Sequence, residues 1–222
     1  MTQEAMIKAL DLLYNQSING LGKVSPPIDE FANDYLSKHP TASAAARSMF
    51  KHQIAKCTTS GFISGFGSVI TLPFTIPANI SSVMYVQMHM IACAAYMGGY
   101  DTKSDQVRTF AYACLAGVSV NNVVKKFGVD FTKKLALKGL DKIPGKVLTR
   151  INQRIGFRLV TKFGEKGLIN LAKIVPVVGA GVNGGLDLVE TKAIAKRAYK
   201  MFIENDYSVG NDILAPEDYT ED

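Results

Sequence analysis

Apolar residues along this chain of 222 residues recur mostly at spacings of three and four, the period of an amphipathic helix. No long stretch alternates apolar and polar residues with a period of two, as a half-buried strand would. The pattern therefore predicts an all-α fold. We expect a single multi-helix domain, because a chain of this length can bury a substantial core.

Capping and stop signals divide this pattern into helices. Thr41 and Ser104 are typical N-caps, Pro27 suits a first helical turn, and Gly98 follows an apolar run as a helix stop. The predicted helices cover about residues 2–14, 28–39, 42–59, 78–97, 104–124, 129–138, 146–163, 167–174 and 186–203. The chain then divides into an N-terminal helix with a linker (1–27), a helical domain (28–203) and an acidic, disordered tail (204–222).

The longest uncharged segment runs from Cys57 to Tyr100, 44 residues without Asp, Glu, Lys or Arg. Pro73 and Pro77 lie inside it, and two prolines this close cannot both occupy the interior of a straight helix. We therefore predict a helical hairpin that turns at these prolines and forms the centre of the domain.

The second arm of this apolar hairpin, residues 78–97, would be about 30 Å long as a helix, which matches the hydrocarbon core of a bilayer. However, the arm contains the polar residues Asn79, Gln87 and His89. Small residues at four-residue spacing in the first arm suit close helix packing in either lipid or protein. Three interpretations stay open: a hairpin buried in the protein core, which we favour, a hairpin that can insert into a membrane, and a permanent membrane span.

Charge is distributed unevenly along the chain. The overall net charge is +6, but residues 125–173 hold 13 Lys and Arg against three acids, a local net charge of +10. Residues 203–222 hold seven acids and no base. A basic centre of this kind is typical of proteins that contact anionic surfaces, and the acidic tail is an alternative partner for it within the chain.

The basic centre contains cations at strict four-residue spacing, which places them on one face of a helix. These cations are Arg150, Arg154, Arg158, Lys162 and Lys166. We predict that they dock on anionic lipid headgroups, where each cation contributes about 1 kcal/mol. Internal pairing with Asp187 and Glu190 of the last helix is the alternative. Nucleic acid is an unlikely partner, because aromatic residues near the cations are few and no recognised binding module is present.

Several short sequence phrases, taken in order, carry a family resemblance. They are Thr59-Ser60-Gly61-Phe62, Leu72-Pro73 with Ile76-Pro77-Ala78, Tyr85-Val86-Gln87, Gly99-Tyr100-Asp101, Ile151-Asn152-Gln153 with Ile155-Gly156-Phe157-Arg158-Leu159, Thr161-Lys162-Phe163-Gly164-Glu165-Lys166-Gly167, Val175-Pro176 with Gly179, Gly184-Gly185 with Asp187, and Thr191 with Ile194. This ordered set resembles the EcsC family over roughly residues 28–203.

The resemblance implies a bacterial, membrane-associated protein from a family without an established biochemical activity. Together with the apolar hairpin and the basic helix, it predicts a non-enzymatic factor that docks on the inner face of the cytoplasmic membrane. Its partner would be anionic membrane lipid or a membrane protein, and the sequence predicts no oligomeric state. A cytoplasmic location is expected, because the N-terminus lacks signal-peptide features and the three cysteines lie in apolar stretches.

A second interpretation is a soluble ligand-binding or enzymatic domain with an apolar, lipid-like pocket between the hairpin and the last helix. Gln87, His89 and Asp187 would supply its polar groups. We identify no catalytic residue and expect no cofactor. His89 and Cys93 have the spacing of zinc ligands on a helix, but no second ligand pair completes a metal site.

Overall fold

The computed structural model describes residues 2–22, 24–57, 78–125, 143–163 and 182–208, which form helices and no strand. The helices are α1 (Gln3–Asn19), α2 (Ile28–Lys38), α3 (Ala42–Cys57), α4 (Ala78–Met97), α5 (Asp105–Ala116), α6 (Val120–Lys125), α7 (Gly145–Phe163) and α8 (Val182–Ala198), which continues into a π-helical segment (Tyr199–Ile203). The predicted all-α fold is confirmed. The helices predicted near 129–138 and 167–174 lie outside the described residues.

Helix α4 lies at the centre of the fold, in contact with α1, α2, α3, α5, α8 and the π-helical segment. Every residue from Ser81 to Ala95 except Val83 is buried. The second arm of the predicted hairpin is therefore a core helix. The first arm and its turn at Pro73 and Pro77 lie outside the described residues.

Within the described ranges, no helix is both long enough and apolar enough to cross a bilayer.

Two helix starts use the side chains that the sequence indicated. Thr41 Oγ1 accepts a hydrogen bond from the Ala44 N–H (3.1 Å), and Ser104 Oγ accepts one from the Val107 N–H (3.3 Å). These bonds satisfy N–H groups of the first turn that have no partner within the helix. The predicted starts of α3 and α5 are confirmed.

The chain forms two helices, α5 and α6, where the sequence predicted one over about residues 104–124. Gly117 ends α5 with a left-handed backbone (φ 71°), and its N–H donates to the carbonyl oxygens of Ala113 and Cys114. A Cβ added at Gly117 would lie 3.0 Å from Nη1 of Arg197. The prediction was wrong because one glycine in an apolar run does not reveal that its backbone is left-handed and ends the helix.

Helix α1 is longer than predicted and includes residues that suggested a linker. Ser17 Oγ donates to the Leu13 carbonyl oxygen (2.7 Å), and Asn19 Nδ2 donates to the Asn15 carbonyl oxygen (2.9 Å). Polar side chains that often favour turns here bond back to the preceding helical turn. Because α1 packs against α2, α4 and α7, the N-terminal helix belongs to the same core as the rest of the domain.

The start of the predicted tail is ordered. Tyr207 is buried, its hydroxyl lies 2.6 Å from that of Tyr100, and its ring centre lies 5.6 Å from that of Phe110. Its carbonyl oxygen accepts a hydrogen bond from the Asn121 N–H (3.4 Å). The prediction of disorder was therefore wrong for residues 204–208. The rest of the tail lies outside the described residues.

The end of α4 packs unusually closely against the π-helical segment. The chain turns at Gly98 and Gly99, as predicted. A Cβ added at Gly98 would overlap the carbonyl oxygen of Phe202. The two segments therefore meet backbone against backbone, an approach that only glycine permits.

Gly117→Ala provides a test of the helix break. An alanine there must adopt a left-handed backbone and approach Arg197, so we expect the free energy of unfolding to fall by about 1–2 kcal/mol. Gly145→Ala is the matched control, because a Cβ at Gly145 meets nothing within 4 Å. Urea unfolding measures both variants, and equal effects of the two substitutions would contradict this explanation.

Candidate functional site

Helix α7 presents one face to the core and the opposite face to solvent. Ile151, Ile155 and Leu159 are buried where α7 packs against α1 and α5. Arg150 is exposed on the opposite side, together with Phe157, whose side chain is 50% exposed. We call this solvent-facing side, with Arg150, Arg154 and Phe157, the α7 outer face.

The predicted row of cations is only partly exposed. Arg150 is exposed, whereas Arg154 and Arg158 are each half-buried. Each four-residue step advances about 400° around the helix, so the row turns progressively from the solvent toward the core. The side chain of Lys162 and the whole of Lys166 lie outside the described residues.

Arg158 lies at the C-terminal end of α5 and not at the outer surface. A Cβ added at Gly117 would lie 3.6 Å from Nη2 of Arg158 and 3.0 Å from Nη1 of Arg197. Arg197 Nε donates to the Cys114 carbonyl oxygen (2.9 Å). Cations at a helix C-terminus are favourable because the unpaired carbonyl groups there carry partial negative charge. Arg158 is therefore better placed to stabilise the fold than to bind a partner.

Gln87 joins the central helix to the last helix. Its Nε2 donates to Thr191 Oγ1 (2.9 Å), and both side chains are buried. A polar pair of this kind satisfies groups that would otherwise be costly to bury. The side chain of Asp187, the third group of the predicted pocket, lies outside the described residues.

His89 faces a different neighbour from Gln87. Its Nε2 lies 3.2 Å from the Pro26 carbonyl oxygen and its Nδ1 lies 3.8 Å from Cys93 Sγ, while its ring contacts those of Phe31 and Tyr85. A neutral imidazole with its proton on Nε2 satisfies both polar contacts. Gln87 and His89 therefore do not meet in one pocket: the cavity that His89 lines, beside Pro26, has a volume of about 40 Å³.

The buried thiols are poor nucleophiles. Burial raises the pKa of Cys93, and it raises the pKa of Cys114 to about 12. Both therefore stay protonated at neutral pH, and the thiolate is the reactive form. Within the described ranges, no group of three or more His, Cys, Asp or Glu side chains is arranged to hold a metal ion.

A groove between α3 and α8 was not predicted from the sequence. Its volume is about 410 Å³, and Phe50, Ile54, Ala195 and Tyr199 contribute to its lining. Arg47, Lys51, Lys192 and Lys196 complete the lining. We call this feature the α3–α8 groove. The sequence does show one pair of cations at four-residue spacing on each of these helices. It does not show that the two helices meet, so the groove could not be predicted.

We compared the chain with protein-family models, curated proteins and solved structures, and none of them matches. The resemblance to the EcsC family therefore stays a prediction from the residues.

The burial of His89 predicts an acid-sensitive fold. Burial lowers the pKa of His89 to about 4 from the ordinary 6.5, so the unfolded chain takes up a proton at a higher pH than the folded protein. The contribution of the neutral His89 to the free energy of unfolding is complete above about pH 6.5. As the pH falls from 6.5 toward 4, the free energy of unfolding decreases by up to about 1.4 kcal/mol per pH unit. Urea unfolding across this range measures the slope.

His89→Gln removes the titrating group and should flatten this pH dependence between pH 4 and 6.5. His52→Gln changes an exposed histidine and is the matched control, for which we expect the original slope. An unchanged slope in His89→Gln would assign the acid sensitivity to other groups.

Proposed function

We propose that this protein is a non-enzymatic peripheral factor that docks on an anionic membrane surface through the α7 outer face. The observation that supports this most directly is the 50% exposure of Phe157. Phe157 lies about one helical turn beyond Arg154 and two turns beyond Arg150. An exposed aromatic side chain and cations on one solvent-facing side together offer an anionic membrane surface both an apolar contact and a favourable charge.

The two kinds of side chain would contribute different interactions at such a surface. A phenylalanine ring enters the boundary between headgroups and acyl chains, which removes its apolar area from water. Arginine lays its alkyl stem along apolar surface and keeps its guanidinium among the headgroups. The attraction of each cation to an anionic leaflet is about 1 kcal/mol and decreases as salt increases.

Docking through α7 requires no rearrangement of the core. Helix α4 keeps its contacts with the surrounding helices, and the buried side of α7 keeps its contacts with α1 and α5. Inserting α4 into lipid would instead break the hydrogen bond between Gln87 and Thr191. The resemblance to the EcsC family leads us to place this surface at the inner face of a bacterial cytoplasmic membrane.

The alternative function is a ligand-binding or enzymatic domain, and the candidate pocket for it lies at a different position from the one predicted. Between α4 and α8, where the sequence placed an apolar pocket, Gln87 and Thr191 are in direct contact. The α3–α8 groove lies on another side of α8, and its volume of about 410 Å³ is within the range of small-molecule sites.

Sedimentation with anionic phosphatidylglycerol vesicles at low salt tests the membrane proposal. We expect the full-length protein to sediment with these vesicles and not with neutral phosphatidylcholine vesicles. Arg150→Glu replaces a favourable charge with a repulsive one and should weaken binding at least about fivefold. Phe157→Ser should weaken binding without a change in charge, because it removes the apolar contact.

The matched control is Lys103→Glu, which makes the same charge change at an exposed residue between α4 and α5. It should bind vesicles almost as well as the original protein, and all variants should keep their melting temperatures. If Arg150→Glu and Lys103→Glu weakened binding equally, the attraction would depend on net charge alone, and the α7 outer face would not be the docking surface.

A further inference from the structure

The α3–α8 groove combines an apolar interior with cations from both of its walls. Phe50 and Ile54 come from α3, and Ala195 comes from α8. Phe50 and Ala195 are buried beneath the groove, and Ile54 and Tyr199 are half-buried, so the apolar area at its surface comes mostly from Ile54 and Tyr199. The exposed lining is mostly apolar, and apolar surface is stabilised when an apolar group covers it.

The cations are arranged as one pair on each wall. Arg47 and Lys51 lie one turn apart on α3, and Lys192 and Lys196 lie one turn apart on α8. All four residues are exposed. Among the residues that the structure describes, no carboxylate lies within ion-pairing distance of any of the four. Four cations around one opening produce a positive potential that attracts an anionic group.

Arg47 is held in place before any ligand arrives. Its Nε and Nη2 donate to the Tyr199 hydroxyl oxygen (3.0 and 2.8 Å), and its guanidinium lies 5.0 Å from the centre of the Tyr199 ring. The same hydroxyl lies 2.8 Å from Ser43 Oγ. The remaining N–H donors of the guanidinium, which carries five in total, are available to an anion. A positioned cation binds with a smaller loss of conformational freedom than a mobile one.

The backbone at Tyr199 is also unusual. Tyr199 is the first residue of the π-helical segment that follows α8. Short π-helical turns interrupt α-helices rarely and occur frequently at functional sites. The groove therefore lies at the point where the last helix departs from regular geometry.

We propose that the α3–α8 groove binds one molecule of an anionic amphiphile, a single alkyl chain with a phosphate or carboxylate headgroup. The alkyl chain covers the half-buried Ile54 and Tyr199, and the headgroup contacts Arg47 together with the lysines of both walls. This assignment matches each half of the ligand to a part of the groove with complementary chemistry.

The concave shape favours a single molecule over a bilayer. A bilayer presents a broad surface, which suits a projecting side chain such as Phe157, whereas an open depression between two helices has room for one chain along it. The two surfaces also belong to different parts of the fold, since α7 packs on α1, α5 and α6 and the groove lies between α3 and α8. The proposal is therefore independent of membrane docking by α7.

Isothermal titration calorimetry with decyl phosphate, below its micelle concentration, tests this inference on the full chain. We expect decyl phosphate to bind at least about tenfold more tightly than either decanol or inorganic phosphate, because each of these offers only half of the recognised chemistry. Lys51→Glu and Lys192→Glu should each weaken binding at least about tenfold. These two exposed side chains should not affect the melting temperature.

Lys103→Glu is again the matched control, and its affinity for decyl phosphate should equal that of the original protein. Tyr199→Phe keeps the ring but releases Arg47, so a loss of about threefold or more is expected. Equal binding of decyl phosphate to the original protein, Lys51→Glu and Lys192→Glu would overturn the assignment. Inorganic phosphate that binds as tightly as decyl phosphate would also overturn it.

Two further binding measurements distinguish the proposed ligand from other occupants of the groove. If Lys51→Glu weakened binding to phosphatidylglycerol vesicles as much as Arg150→Glu, the groove would be part of a membrane surface, and the single-molecule proposal would fail. If decyl phosphate bound only to a full chain carrying Glu217→Gln and Asp218→Asn, the acidic C-terminal segment would be the occupant, and the proposal would fail again.

Discussion

Because helix α4 is enclosed by protein, each described polar side chain on it must find a partner inside the fold. Gln87 meets this requirement through Thr191 on α8, and His89 meets it through the Pro26 carbonyl oxygen before α2. These two bonds point to different neighbours and together restrict rotation of α4 about its axis. The positions of α8 and of the segment before α2 therefore depend on the pairing requirements of the central helix.

Among the described residues, no Asp, Glu, Lys or Arg is buried in the core, so the described cations lie at the periphery, where the surface shape influences what they can bind. On the α7 outer face, Arg150 and a projecting phenylalanine lie two helical turns apart on the same side. In the α3–α8 groove, Arg47 and three lysines surround an apolar depression. Projecting and concave surfaces of the same charge suit different anions, which is why we propose a different anionic partner for each of the two surfaces.

The sequence predicts the features that depend on neighbours along the chain. The hydroxyl caps at Thr41 and Ser104 act within one turn, and the four-residue spacing of Arg150 and Arg154 follows from helix geometry. The end of α5 is contacted by the distant Arg197, whose Nε donates to the Cys114 carbonyl oxygen, and the anchoring of Tyr207 depends on Tyr100. For the same reason the α3–α8 groove was missed: each cation pair is visible in the sequence, but the meeting of the two helices is not.

The close approach at Gly98 has a consequence for the history of this fold. Because the backbone of the π-helical segment occupies the space of a Cβ there, any substitution must move the end of α4 away from Phe202. Chains that keep this arrangement are thus confined to glycine at that position, whatever else diverges. A glycine directly after the uncharged central helix is therefore expected in distant relatives that keep this architecture.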